Sequence, residues 1–417
     1  MENRIFLPGD ILLPAHCDMR LWSVVACDQF TSQPEYWFEA ENLVGGAPST
    51  LRLMLPEAFF GVRDTAQETE KLLDNMESYL KTGVFRTVRD SYIYIERTLP
   101  DGMLRRGLLG LVDLEEYDYH RGVMSAVHST EDVVEDRLPP RLEVRSRAAL
   151  EMPHIMLFID DAGRTVIEPL RDMVGGGDME YDFDLMLGGG HITGWRVHGG
   201  AAAKVSGALA ALADPAALRE KYSADTLTAY AVGDGNHSLA AAKLYWEKLK
   251  PTLTEAERGN HPARFALAEL VNAQDEAIGI EPIHRVLFGV DGGDFLAKAR
   301  SELSSGSGNV RDVTVCTEAS RETISVPAES MAELIGRCET FCRAYIASCG
   351  GKLDYIHDDQ TAAGLASRHG SAGLLLPAMG KSELFSSIIA SGGFPRKSFS
   401  VGHARDKRYY LECRRLK

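Results

Sequence analysis

A short apolar run ending at Val232 passes through Gly233-Asp234-Gly235 and at once into an alanine-rich segment, Asn236-His-Ser-Leu-Ala-Ala-Ala-Lys243. A strand that meets a helix across so tight a turn commits this part of the chain to an α/β unit. Two glycines give the backbone the freedom the turn requires, and they let a ligand approach closely. The turn sets Asp234, Asn236, His237 and Ser238 beside the first amides of the helix, where unpaired N–H groups and the backbone dipole favour an anion. Asp234 is a candidate to hold a metal or a substrate amine, and His237 to move a proton. Plain capping competes with this reading, because Asp, Asn and Ser are ordinary residues at a helix start. Four polar side chains of three chemical kinds exceed what one cap needs. Asp234 and His237 are therefore catalytic candidates, and Gly235, Asn236 and Ser238 candidate ligand-binding residues.

Elsewhere the pattern is mixed. Trp22–Ala26, Tyr92–Ile95, Leu108–Val112, His154–Ile159 and Leu227–Val232 read as short strands. Thr65–Leu80, Ala201–Leu212, Leu239–Leu249 and Met331–Ile346 read as helices. Gly175–Gly200 holds nine glycines and reads as loops around one short strand. Leu374–Leu376 reads as a strand, followed by a helix through Ala390, and Arg408–Cys413 as a last strand. The expected organisation is a main α/β body over 1–286, a smaller α+β lobe over 287–370 and a segment, 371–417, that returns to the main body.

The chain has 417 residues and a net charge of −15, which argues against general nucleic-acid binding. A local basic pocket is still compatible with that charge. Gly380-Lys381-Ser382 sits between a strand and a helix as a phosphate loop does, but Leu375 stands where a P-loop needs glycine. Lys381 and Ser382 are kept as candidate phosphate contacts. Arg396-Lys397, after a Gly-Gly-Phe-Pro turn, and Arg285 are further candidates, and Arg405, Lys407 and Arg408 form a second basic cluster. Asp28, between an apolar run and a Thr-Ser turn, is a candidate carboxylate base. A metal site would have to be assembled from distant segments, such as Asp234, His237 and His284. Gly188-x-Gly190-x-x-Thr193 misses the dinucleotide fingerprint, so no Rossmann cofactor is expected. Seven cysteines without a CxxC give no structural zinc site and read as reduced thiols. No apolar run reaches the ~18 residues of a membrane span, and the N-terminus lacks a signal-peptide pattern, so a cytoplasmic protein is expected.

Five segments together resemble the bacterial and archaeal family called domain of unknown function 1015. They are Val25-Ala-Cys-Asp-Gln-Phe-Thr-Ser-Gln-Pro-Glu-Tyr-Trp37, Thr130-Glu-Asp-Val-Val-Glu-Asp-Arg137, Val232-Gly-Asp-Gly-Asn-His-Ser238, Glu281-Pro-Ile-His-Arg285 and Phe394-Pro-Arg-Lys-Ser-Phe-Ser400. The Asp-Gly-x-His turn also resembles the Asp-Gly-His-His-Arg motif of ParB-like domains and free serine kinases of the ParB/sulfiredoxin type. Asp234, Gly235 and His237 match it, Asn236 replaces a histidine, and Ser238 replaces the phosphate-binding arginine. The resemblance implies a ParB/sulfiredoxin-like core with an added α+β lobe. It implies a small-molecule phosphotransferase using a nucleotide and Mg²⁺, acting on serine or a similar hydroxyl. The alternatives are a metal-dependent hydrolase and a nucleotide- or metabolite-sensing protein without turnover.

Overall fold

A computed structural model describes residues 4–152, 154–408 and 411–417. The fold is mixed α/β. Among the described residues, eleven strands form one large sheet and five a second.

The large sheet is built on β1 (Gly9–Pro14), the long β2 (Phe85–Thr98) and β3 (Leu104–Asp113). It continues with β4 (Val127–Ser129), β5 (Met156–Ile159), β6 (Met179–Asp184), β7 (His191–Val197), β8 (Tyr230–Asp234) and β9 (Phe265–Asn272). Across the sheet the order is the short edge strand Tyr117–Asp118, then β4, β8, β5, β9, β3, β2, β7, β6, with β1 paired to β2 and Phe6–Leu7 to β3. Strand β8 runs parallel to β4 and antiparallel to β5. Helices α1 (Pro34–Val44), α2 (Thr65–Lys81), α3 (Leu138–Arg147), α4 (Gly199–Leu212) and α5 (Asn236–Leu249) belong to this half of the chain.

Both faces of the sheet are covered, and the two-residue period of the strands divides their side chains between two cores. Tyr92, Tyr94 and Leu108 pack with Leu157, Val232 and Trp246 on one face. Ile93, Ile95 and Leu109 pack with Leu72, Met76 and Leu267 on the other. Double coverage explains why these strands read as unbroken apolar runs.

The second sheet has strands β10 (His284–Phe288), β11 (Val310–Thr317), β12 (Arg321–Pro327), β13 (Lys352–Ile356) and β14 (Ser371–Leu375). They lie in the order β12, β11, β14, β10, β13, all antiparallel. The sheet thus reaches from 284 to 375 and takes in β14, which the sequence places in the returning segment. Helices α6 (Gly292–Leu303), α7 (Met331–Cys349), α8 (Asp359–Ala366) and α9 (Lys381–Ser391) accompany it.

Beyond α9 the chain crosses back over the large sheet. Phe399–Val401 pairs with Ile280–Pro282, Arg408 bridges to Val25, and Cys413 bridges to Leu12.

Three expectations from sequence need correction. Trp22–Ala26 is buried but is not a strand: apart from the single bridge at Val25 it makes no ladder, and Ala26 donates its N–H to the Lys407 carbonyl at 2.7 Å. The glycine-rich stretch holds two paired strands, β6 and β7. Gly194 belongs to β7, and a Cβ there would meet the Tyr181 ring at 2.1 Å, so the glycine serves close packing inside a sheet. The expected last strand, Arg408–Cys413, falls partly on Tyr409 and Tyr410, outside the described residues; its ends make single bridges at Arg408 and Cys413, and the two-residue ladder lies just beyond, at Arg414–Arg415 against Leu150–Glu151. No single helix among the described residues is long and apolar enough to cross a membrane.

Candidate functional site

Strand β8 ends at Asp234 and α5 begins at Asn236, with Gly235 between them at φ 79°. That φ lies in the left-handed region, and a Cβ on Gly235 would stand 2.9 Å from the Cα of Ile155. Gly235 is therefore required both for its conformation and for its size.

Capping does not use the polar side chains of the turn: among the described residues none hydrogen-bonds the first amides of α5 as a cap. Asp234 instead accepts from the Gly235 N–H on Oδ1 at 2.8 Å, and its Oδ2 lies 3.4 Å from Lys407 Nζ. Asn236 Nδ2 reaches Thr130 Oγ1 at 3.5 Å, and its buried Oδ1 has no partner among the described residues. Ser238 Oγ lies 3.3 Å from His154 Nε2.

The start of α5 forms one wall of a cavity of about 200 Å³. Four of the five segments that carry the family resemblance contribute polar or charged groups to it: Asp28 from the first, Glu131 and Arg137 from the second, the turn itself, and Arg396 and Lys397 from the last. Five basic side chains, Arg137, Arg141, Arg396, Lys397 and Lys407, stand against the four carboxylates of Asp28, Glu131, Asp132 and Asp234. In a chain of net charge −15 this is a local reversal of sign.

Two carboxylates have identifiable work. Glu131 accepts the N–H groups of Ser398 and Lys397 at 3.0 and 3.2 Å, which ties the Arg396-Lys397 loop to the end of β4. Burial raises its pKa against the pull of those amides and of the Lys397 ammonium. Lys397 itself sits at φ 60°, a conformation a non-glycine residue holds only where its surroundings fix it. Asp28 is pushed the other way. Burial alone would raise its carboxyl, but His154, a hydrogen bond from Gln29, Lys407 and Arg141 together hold it below the usual carboxylate range. Lys407 is raised, chiefly by Asp234.

His237 is held neutral. Burial, then Arg141 and Arg137, push its pKa from the ordinary 6.5 down to about 4. Val134 donates its N–H to Nε2 at 3.1 Å, so the imidazole proton resides on Nδ1. In this state His237 is a hydrogen-bond donor. Its depressed folded pKa gives a stabilising contribution that is complete above pH 6.5 and is lost as pH falls through 4, because the unfolded chain binds the proton more readily. The urea midpoint of the parent is expected to fall over that window more steeply than that of His237→Gln. Parallel pH curves would contradict the assignment.

The remaining candidates lie elsewhere. Arg285 is fully buried in β10, pairs with Glu339 Oε2 at 3.2 Å and donates to the Ile283 carbonyl. Lys381 Nζ donates to the Asp275 carbonyl at 2.5 Å, and Ser382 follows it in the first turn of α9. None of the three lines the cavity. His284 is not available to join Asp234 and His237: its Nδ1 accepts from the Leu376 N–H at 3.1 Å and its Nε2 meets Asp359 at 2.5 Å. Among the described residues no group of three or more His, Cys, Asp or Glu side chains is placed to hold a metal ion. The cavity also gains Lys407, Arg141, His154 and His357, which local sequence did not single out as site residues. Lys407 carried a signal, as part of the basic cluster at 405–408. Arg141 and His154 carried none, since each reaches the cavity through tertiary packing.

The chain belongs to the family described as protein of unknown function (DUF1015), whose model matches residues 12–362. The matched region ends before Arg396, Lys397 and Lys407. No curated protein matches the chain. Solved structures resemble it distantly. A conserved hypothetical protein from Pyrococcus furiosus is 11% identical, with 70% of this chain and 89% of that one covered and a TM-score of 0.33. A free serine kinase in complex with AMP is 11% identical over 70% and 87%, with a TM-score of 0.35. SbnI from Staphylococcus aureus, truncated at its C-terminus, is 9% identical over 70% and 82%, also at 0.35.

Proposed function

We propose that the cavity at the start of α5 binds the phosphoryl groups of a nucleotide, and that the protein is a phosphotransferase acting on the hydroxyl of a small molecule, serine or a similar acceptor. The observation that carries this reading is the ring of Arg137, Arg141, Arg396, Lys397 and Lys407 around a helix start that no side chain caps among the described residues. Backbone amides and fixed cations together are what phosphate recognition uses. The Asp234-Gly235-x-His237 order is similar to the ParB-like nucleotide motif. Where that motif has arginine this chain has Ser238, and the neighbouring basic side chains take over the charge.

Phosphoryl transfer asks a protein mainly for positioning and charge neutralisation. The acceptor oxygen forms a bond to the terminal phosphorus. The bond from that phosphorus to the bridging oxygen breaks, and its electron pair leaves with the nucleoside diphosphate. Asp28 takes the hydroxyl proton. His237 donates from Nδ1, and Lys407 balances charge on the phosphates. Glu131 is committed to backbone amides and Asp234 to the Gly235 N–H and Lys407, so Asp132, 3.9 Å from Arg121, is the lining carboxylate that would hold a Mg²⁺ ion. Such an ion would neutralise charge on the transferring group.

The test is thermal stability with ATP, ADP and inorganic phosphate, each with and without Mg²⁺. A nucleotide at 100 times its Kd adds about 2.7 kcal/mol. Lys407→Met is expected to weaken nucleotide binding about 10–100-fold, the range for a hydrogen bond to a charged group. Asp28→Asn should keep the nucleotide response and lose transfer. No stabilisation of the parent by any of these compounds overturns the reading.

A further inference from the structure

Behind the polar cavity lies a second one, of about 220 Å³, and the two share Arg141, His154 and Ser238 as a common wall. The chain straddles that wall at three places. Cys27 lines the second cavity and Asp28 the first; Ile155 lines the second beside the shared His154; and on α5, Ala241 lines the second one turn beyond the shared Ser238.

The second cavity is apolar in character. Leu72, Val144, Leu150 and the thioethers of Met54, Met76 and Met152 line it. Methionine adapts to irregular apolar shapes. Most of the charges in its wall are paired, Glu143 being the exception among the described residues: Arg145 pairs with Glu151 at 2.6 Å, Glu151 also with Arg414 at 2.9 Å, and Arg141 with Glu57 at 2.5 Å. Phe60, 47% exposed, stands at its rim and continues the apolar surface outward. A cavity of about 150 Å³ already admits a benzene ring. This one is larger, so it takes a ring or a branched chain of several carbons.

We propose that the acceptor of the α5 site is an amphipathic alcohol, whose hydroxyl lies at the shared wall beside Asp28 and whose apolar body fills the second cavity. The inference rests on the phosphotransferase reading and narrows it: an apolar body is preferred to the small polar side of serine. The phosphorylated product would then span both compartments, with its phosphate among the basic side chains and its apolar group between α2 and α3.

Straight-chain alkyl phosphates from methyl to octyl mimic that product. Their Kd values, measured by calorimetry on the full chain beside inorganic phosphate and 1-hexanol, test the idea. Each buried methylene should tighten binding about fourfold until the cavity is full. Val144→Trp, which narrows the cavity, should reduce the gain per methylene. Inorganic phosphate that binds while the alkyl series gains nothing overturns this inference and leaves the phosphate site standing. Hexanol binding as tightly as hexyl phosphate overturns the coupling of the two compartments. Failure of every alkyl phosphate to bind overturns this inference, and failure of ATP, ADP and inorganic phosphate as well overturns the phosphotransferase reading with it.

Discussion

Gly235→Val is expected to destabilise the protein by about 2–5 kcal/mol and to abolish its nucleotide response. Two costs add. A left-handed backbone costs a side-chain-bearing residue about 1–2 kcal/mol, and a branched Cβ tolerates it least. The new Cβ would also meet the Cα of Ile155 at 2.9 Å, a backbone atom that cannot swing aside. Overpacking of this kind costs about 1–3 kcal/mol. Relief requires the turn to move away from Ile155, which displaces Asp234 from Lys407 and turns the first amides of α5. Gly235→Ala should show the same effects in smaller measure. The measurement is the urea midpoint at unchanged slope, paired with nucleotide titration. Two variants within ~0.5 kcal/mol of the parent would show that the turn is not held where the structure places it.

Arg285→Met should cost about 3 kcal/mol while leaving nucleotide affinity within experimental error. The Arg285 side chain is fully enclosed between β10 and α7 and meets the Glu339 carboxylate there. Breaking a buried ion pair costs about 3–5 kcal/mol when the surviving charge is stranded. Glu339 is only partly stranded, because Arg343 Nε and Tyr355 Oη still reach it at 2.6 Å. The lower end of the range follows. A large loss of nucleotide affinity with intact stability would instead place Arg285 at the ligand.

The two substitutions separate what local sequence can reveal from what it cannot. The strand–turn–helix at 230–249 was legible because each step is local: apolar strand, two glycines, alanine-rich helix. The crowding of four polar residues in one turn was legible too; that these residues line a cavity was not, because the rest of the lining comes from distant segments. Arg285 looked equivalent to Arg396 on paper, both being basic residues near a strand or turn. What divides them is whether an acidic partner arrives from another element. Glu339 does so for Arg285, from 54 residues away. For Arg396 the surroundings are the cavity itself. Trp22–Ala26 was misread for a related reason. Its apolar residues are buried as a strand's would be, but the neighbour that would complete a ladder supplies only a bridge at Arg408.

The path of the chain beyond α9 has a consequence for biosynthesis. Asp28 and Lys407 face one cavity, and the stretch that carries Lys407 docks beside Val25 and Ala26. As the protein is made, the large sheet can pair and the second sheet can form while the cavity still lacks Arg396, Lys397 and Lys407. Domains settle as they emerge from the ribosome, and contacts so distant in sequence close late. During that interval Asp28 and Asp234 lack Lys407, and of the five basic side chains only Arg137 and Arg141 stand among the four carboxylates. On the phosphate-binding reading proposed above, the site is therefore completed only when the final crossing is laid down.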